Sequence, residues 1–423
     1  MQTKEHSWGK LIKLHRQKQQ LKQDDVAFGI CTPSYLSRIE NGMVIAEQAI
    51  YEQLLARLGI NLMDQQFKQQ EQISFLEELY EKLLSNESLH QKAIEKLMQM
   101  QSFGVQLEED LFAKLVYSRY LLSIKEDDQA RNLLLEIEPF IHWKHDRLTQ
   151  LYVAITGFAY LSFLEFAEFV EREERLPCAH YLQTATSFEQ ANYYYHLAFA
   201  YHRNYNFQKA LIHIEKASAT FSHQYKPLFQ LKIYSMKGVI YNDLHRFQEA
   251  NVEFNAGLDL LNHVTAIQTP MQWSSIHNNI AYCYECQGLF EQAVHHYKIA
   301  NESEEDLLAI INWMRACYQL GDFNLLHKLL NKYPFEQFSV QHQKYQWRLL
   351  QFACKKEITL ESLKALDEEI FPYFMEQDYY SLTLFYAPLW GQFYEQLHAY
   401  KQSAKCYKMA FTASEKVRQR MSS

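Results

Sequence analysis

From about Ser7 the chain places Trp8, Leu11, Ile12, Leu14 and His15 on one helical stripe, with Lys10, Lys13, Arg16 and Lys18 facing outward. That spacing predicts a helix from about Ser7 to Gln20. A second, short helix begins near Gln23, where Asp24 and Asp25 suit the positive end of a helix dipole. It carries Val26 and Ala27 and stops at Gly29. Thr32-Pro33 then supplies an N-cap followed by a favoured first helical residue. The helix this opens runs through Ser34, Tyr35, Leu36, Ser37, Arg38, Ile39 and Glu40, and Asn41-Gly42 closes it. A fourth helix, about Glu47 to Leu58, shows Ile50, Leu54, Leu55 and Leu58 at helical spacing before Gly59.

Further along, one set of spacings (3, 9, 4, 3) recurs. It appears as Ala198-Tyr201-Ala210-Ile214-Ala217, Gly238-Tyr241-Ala250-Phe254-Gly257, Ala281-Tyr284-Ala293-Tyr297-Ala300 and Gly391-Tyr394-Ser403-Tyr407-Ala410. Small, aromatic, small, large and small are the positions of the tetratricopeptide helix pair. The small residues let two helices approach, and the large one fills the gap to the next pair. Weaker copies sit at Ser118-Leu121-Ala130-Leu134-Ile137 and at Met314-Cys317-Leu330, the latter with Gly321-Asp322-Phe323 as its turn. Segments 148–190 and 340–371 have room for one pair each. Residues 61–104, rich in Gln and Glu, predict a connecting helical pair whose second helix starts at Asn86 or Ser88. The expected fold class is all-α: a helix-turn-helix unit followed by a right-handed tetratricopeptide-repeat superhelix.

Stacked pairs of this kind line a concave wall with each first helix. Four offsets from the first small position share that face. They give Asn192, Tyr195, Phe199 and His202, then Lys232, Ser235, Val239 and Asn242, then Ser275, Asn278, Tyr282 and Glu285, with Arg119 and Arg315 from the weaker copies. Asn offers both a donor and an acceptor to an extended peptide backbone. Arg suits a peptide carboxylate. The candidate peptide-binding set is therefore Arg119, Asn192, Tyr195, His202, Asn242, Asn278 and Arg315.

Composition narrows the chemistry. In 423 residues there are 11 Gly and 8 Pro, which disfavours many-stranded folds and suggests that little of the chain lies in tight turns. No two glycines are closer than Gly29 and Gly42, so no Gly-rich phosphate loop exists. Residues 1–62 hold eight Lys/Arg against six Asp/Glu, whereas the rest holds 34 against 44, so any nucleic-acid contact is expected from the head. Seven scattered cysteines make no disulfide framework. The start, with Lys4, Glu5 and His6, lacks a signal peptide, and the apolar stretch Leu151 to Leu164 is too short and polar to span a bilayer. The expected location is cytoplasmic, with no membrane partner. Cys283-x-x-Cys286 falls inside a repeat helix without a second pair, and His295-His296 and His142 to His145 look isolated. No zinc-protease, nucleophile-elbow or kinase signature occurs. No catalytic residue, metal or cofactor is expected, and the chain is not read as an enzyme.

Gln23 to Ala27, Gly29, Tyr35 to Gly42 and Leu58-Gly59-Ile60 together resemble the lambda-repressor-like (xenobiotic-response-element) helix-turn-helix family across residues 7–60. The resemblance implies five helices, the third entering the major groove. It places Thr32, Ser34, Tyr35 and Arg38 toward base edges or phosphates and Gln23 on a phosphate. Leu36 and Ile39 are core, and Glu40 and Asn41 structural.

Such a head on a tetratricopeptide body resembles the Gram-positive peptide-sensing quorum regulators (Rap/Rgg/NprR/PlcR/PrgX family), most of all the NprR branch. The likeness implies three segments: a DNA-binding domain (1–62), a helical linker (63–104) and a peptide-sensing and dimerisation domain (105–423). It implies an operator DNA partner and a short signalling peptide in the repeat groove, with Asn242 and Asn278 on the peptide backbone. It also implies a homo-oligomer, dimer or tetramer, and helix-turn-helix proteins generally read paired half-sites. The alternative it carries is a Rap-like protein that sequesters or promotes dephosphorylation of a sporulation-phosphorelay response regulator. Gln65 to Gln72 lies in the corresponding region, without a motif.

Overall fold

The computed structural model describes residues 2–100, 108–221, 225–355 and 357–422. Among them every regular element is a helix. The head contains α1 (Gln2–Lys18), α2 (Gln23–Ala27), α3 (Pro33–Glu40) and α4 (Gln48–Arg57). The connecting pair is α5 (Leu62–Leu84) and α6 (Gln91–Met100); residues 101–104 of the expected linker lie outside the described residues. Helix pairs then follow: α7 (Glu108–Ser123) with α8 (Asp127–Ile137), α9 (Arg147–Ser162) with α10 (Phe166–Arg175), and α11 (Ser187–Arg203) with α12 (Phe207–Phe221). The next are α13 (Pro227–Asp243) with α14 (Phe247–His263), α15 (Pro270–Cys286) with α16 (Phe290–Ser303), and α17 (Leu307–Leu320) with α18 (Phe323–Lys332). The last are α19 (Gln341–Ala353) with α20 (Leu360–Glu376) and α21 (Tyr380–Gln396) with α22 (Tyr400–Ser422). The chain divides into two compact units, Met1–Tyr193 and Tyr194–Ser423, the division falling within α11.

In the first unit the head closes on Trp8, Leu11, Ile12, Val26, Leu36, Ile39, Leu54 and Leu55, the stripes expected from periodicity. Gly9 is required there: a Cβ on it would lie 2.0 Å from the Ile39 carbonyl oxygen, so α1 and the end of α3 could not meet with any larger residue. The fifth helix, α5, turns Leu76, Leu79, Tyr80 and Leu83 into a separate core with α7 and α9. Ser118, Leu121, Ala130, Leu134 and Ile137 are buried in that core, as the weak early repeat requires.

In the second unit the small positions of the repeat sit where helices touch. A Cβ on Gly238 would lie 2.4 Å from the Phe254 ring, so this glycine admits the large residue of its own pair. The large positions Ile214, Phe254 and Tyr297 are buried. Tyr407 departs from them, at 37% exposure. Its ring nevertheless lies against α21, where a Cβ on Gly391 would come within 2.9 Å of it.

Scarce glycine does not bring scarce tight turns, contrary to the expectation from composition. Tight turns between paired helices are regular, and most have one residue with positive φ: Lys125, Leu164, Tyr205, His245, Gly288, Gly321 and His398. Only two of these are glycines. Low glycine content meant non-glycine residues in left-handed turns, not an absence of such turns.

Candidate functional site

The head's candidate surface is α3. Thr32 Oγ1 accepts the Tyr35 N–H at 3.2 Å, fixing the start of the helix, and Pro33 takes its first position. Leu36 and Ile39 point to the core, which leaves Ser34 and Arg38 exposed and Tyr35 half-buried. The Arg38 guanidinium lies 5.6 Å from the Tyr35 ring centroid. Thr32, Ser34 and Tyr35 at the start of α3 and Arg38 in its last turn therefore lie on its accessible side.

Behind that surface lies a charge network that periodicity misassigned. Arg16 was expected to face outward. It turns inward, and its Nε and a terminal nitrogen meet the two Glu40 oxygens at 2.7 and 2.8 Å. Glu40 is only 2% exposed, so this bidentate pair neutralises an otherwise buried carboxylate. Gln23 Nε2 donates to the same carboxylate at 2.7 Å. The amide expected on a phosphate is thus held by α3.

The repeat positions show the opposite behaviour. In the first unit, Arg119 is 4% exposed. It donates to the Leu83 carbonyl at 2.9 Å, at the negative end of α5, and its guanidinium lies 3.7 Å over the Phe158 ring. Burial pulls its pKa down to about 10. Asn192 is buried and donates to the Phe188 carbonyl of its own helix at 2.9 Å. Neither side chain stands open to a ligand.

In the second unit, polar residues on successive first helices bond to one another. His202 on α11 meets Asp243 on α13 at 2.6 Å. Asn242 Nδ2 reaches the Cys286 thiol of α15 at 3.4 Å, and Asn312 of α17 donates to Asn278 of α15 at 3.3 Å. Arg315 of α17 grips Glu285 of α15 through two nitrogens at 2.6 and 2.9 Å and reaches Gln346 of α19 at 3.5 Å. Tyr297 donates its hydroxyl to Glu285 at 2.9 Å. Burial opposes the charge on Arg315, but its carboxylate partner holds the guanidinium pKa well above the ordinary value. Tyr195 is half-buried against Phe229, its ring centroid 5.8 Å away, and burial raises its phenol to about 12.

Together these form a polar spine from α11 to α19. Arg315, expected to take a carboxylate from outside, already has one from Glu285. Asn242 is 1% exposed, and its Oδ1 is buried without a hydrogen-bond partner. The spine partners missed from the sequence are Asp243, Cys286, Asn312 and Gln346. Only the adjacency of Asp243 to Asn242 hinted at one of them.

Two further expectations change. His296 is not isolated, because its Nδ1 lies 3.0 Å from His277 Nδ1, and burial beside His277 and His295 lowers its pKa to about 4. His145 packs edge-on against His180, with ring centroids 4.6 Å apart. Cys283 is a buried thiol raised to about 11 by burial. Among the described residues no three His, Cys, Asp or Glu side chains group as a metal site, and no helix is long and apolar enough to cross a membrane.

The chain is thus all-α among its described residues, a helix-turn-helix head followed by tandem helix pairs. A helix-turn-helix family model matches residues 12–64. Over 403 residues the chain is 21% identical to the transcriptional activator NprA of Geobacillus stearothermophilus, spanning 91% of this chain and 98% of that protein. Its fold is similar to that of NprR in complex with its cognate peptide NprX (TM-score 0.60, 16% identity, 81% of this chain and 99% of that one). It is also similar to the apo form of the quorum sensor NprR from B. thuringiensis (TM-score 0.65, 15% identity, 82% and 99%). The sequence resemblance and the comparisons point to the same NprR-type group.

Proposed function

We propose that the chain is a peptide-responsive transcriptional regulator and not an enzyme. Residues 1–62 bind promoter DNA, residues 63–104 connect, and residues 105–423 hold a short signalling peptide and the oligomer contacts, in the cytoplasm. The observation that carries this reading is the outer side of α3, where Thr32, Ser34, Tyr35 and Arg38 stand on a helix fixed from behind by Arg16 and Glu40. Base readout needs side chains that project from a rigid element into the major groove. Chain-length similarity to a transcriptional activator supports the assignment. The peptide part rests on likeness to a receptor bound to its cognate peptide. It rests also on the unpartnered Asn242 oxygen, an acceptor suited to a peptide N–H.

Selection of duplexes from a random pool tests the DNA assignment. The full chain should enrich paired half-sites, and Arg38→Ala should abolish enrichment while the fold is retained. Equal enrichment by both chains would remove the basis for assigning α3.

A further inference from the structure

The second unit is fastened to itself across a long stretch of sequence. Tyr205, in the turn between α11 and α12, donates its hydroxyl to the Asp378 carbonyl at 2.8 Å and accepts the Ser381 N–H at 3.4 Å. Its ring lies 5.4 Å from that of Tyr380. The 377–379 turn is held from a second side by Arg420, whose guanidinium meets the Asp378 carboxylate at 2.7 Å, and Tyr380 donates its hydroxyl to the same carboxylate. On the adjoining helix His342 packs on Tyr379, with ring centroids 4.8 Å apart. Helix stacking joins neighbours only, so a bond spanning 173 residues adds a constraint that nearest-neighbour packing does not supply.

The same unit buries the polar atoms a peptide would have to meet. Asn242 is enclosed with its oxygen unsatisfied, and Arg315 is engaged by Glu285. An unpaired buried acceptor is costly and gains a partner only if the wall opens. We infer that the Tyr205 contact with the Asp378–Ser381 turn is a latch holding the second unit closed, and that its release lets the first-helix wall take an extended peptide. The inference rests on the peptide reading proposed above. The latch sets the fraction of binding-competent chain, and apparent affinity scales with that fraction.

The experiment uses the full-length chain, Tyr205→Phe and, on the opposite side of the latch, Arg420→Gln. Tyr205→Phe keeps the ring contact and removes both hydroxyl hydrogen bonds. Amide hydrogen exchange over 378–382 should rise about tenfold in Tyr205→Phe, the change expected for about one net hydrogen bond. A smaller rise is expected in Arg420→Gln, and none within the head, α1 to α4, in either. With a pool of synthetic random heptapeptides as the probe, Tyr205→Phe should retain peptide with about tenfold higher apparent affinity. Unchanged exchange over 378–382 would overturn the latch. Faster exchange with equal retention by both chains would overturn its gating role. Faster exchange with no peptide retained by any chain would overturn the gating together with the peptide reading, leaving a latch of purely structural effect.

Discussion

Helix α3 of the head and the first-helix wall of the second unit carry similar side chains and use them differently. On α3, Ser34 and Arg38 stay exposed because the helix packs by one face alone, through Leu36 and Ile39. On the wall, each first helix has a neighbour on either side. A polar group there lies within reach of the next helix, and His202, Asn242, Asn278 and Arg315 all bond across such a gap. A polar residue at a good periodic position is thus ready for a ligand on a helix with one packed face, and absorbed by its neighbours in a stacked array.

The largest effect should come from breaking the spine where it is most buried. Glu285→Ala leaves Arg315 as an unpaired buried cation and should cost about 3–5 kcal/mol in denaturant unfolding. Pairing Glu285→Leu with Arg315→Met should restore most of that loss. A Gly238→Ala chain should lose about 1–3 kcal/mol, since the added methyl meets the Phe254 ring. If thermal melting shows no loss, the ring moves freely and the small position is not required.

Acid should weaken the body through its buried histidine His296. His296 has a folded pKa of about 4 against an ordinary 6.5, so the folded state binds fewer protons than the unfolded one. Its contribution is complete above about pH 6.5 and falls away as pH drops toward 4. The melting temperature should therefore fall from pH 7 to pH 5, and His296→Gln should flatten the fall. The smallest stability effect belongs to Arg38→Ala, expected within about 0.5 kcal/mol of the parent. Its DNA affinity should nevertheless drop, and if the side chain meets a phosphate the salt slope should fall by about one. A large stability loss would show that the α3 surface supports the fold as heavily as the wall does.

Local signals were legible in the sequence. Thr32-Pro33 and Asn41-Gly42 bounded α3 because capping depends on adjacent residues. The repeat spacing exposed the small and large positions because each pair solves the same packing problem. What escaped was pairing between elements. Arg16 sits on the expected outer face of α1 but meets Glu40, 24 residues away, and Asn278 finds Asn312 only through the register of two helices. Helical period says which way a side chain leaves its own helix, and nothing about what waits there.

The left-handed turns carry one more consequence. A non-glycine residue at positive φ costs about 1 kcal/mol, whereas glycine costs a similar amount by enlarging the freedom of the unfolded chain. With the two nearly balanced, thermodynamics scarcely chooses the residue at Lys125, Leu164, His245 or His398. These are sites of free variation, where a new side chain can be tried with little loss to the fold. Tyr205 shows what such latitude permits: a residue needed for no helix came to bind a turn far along the chain.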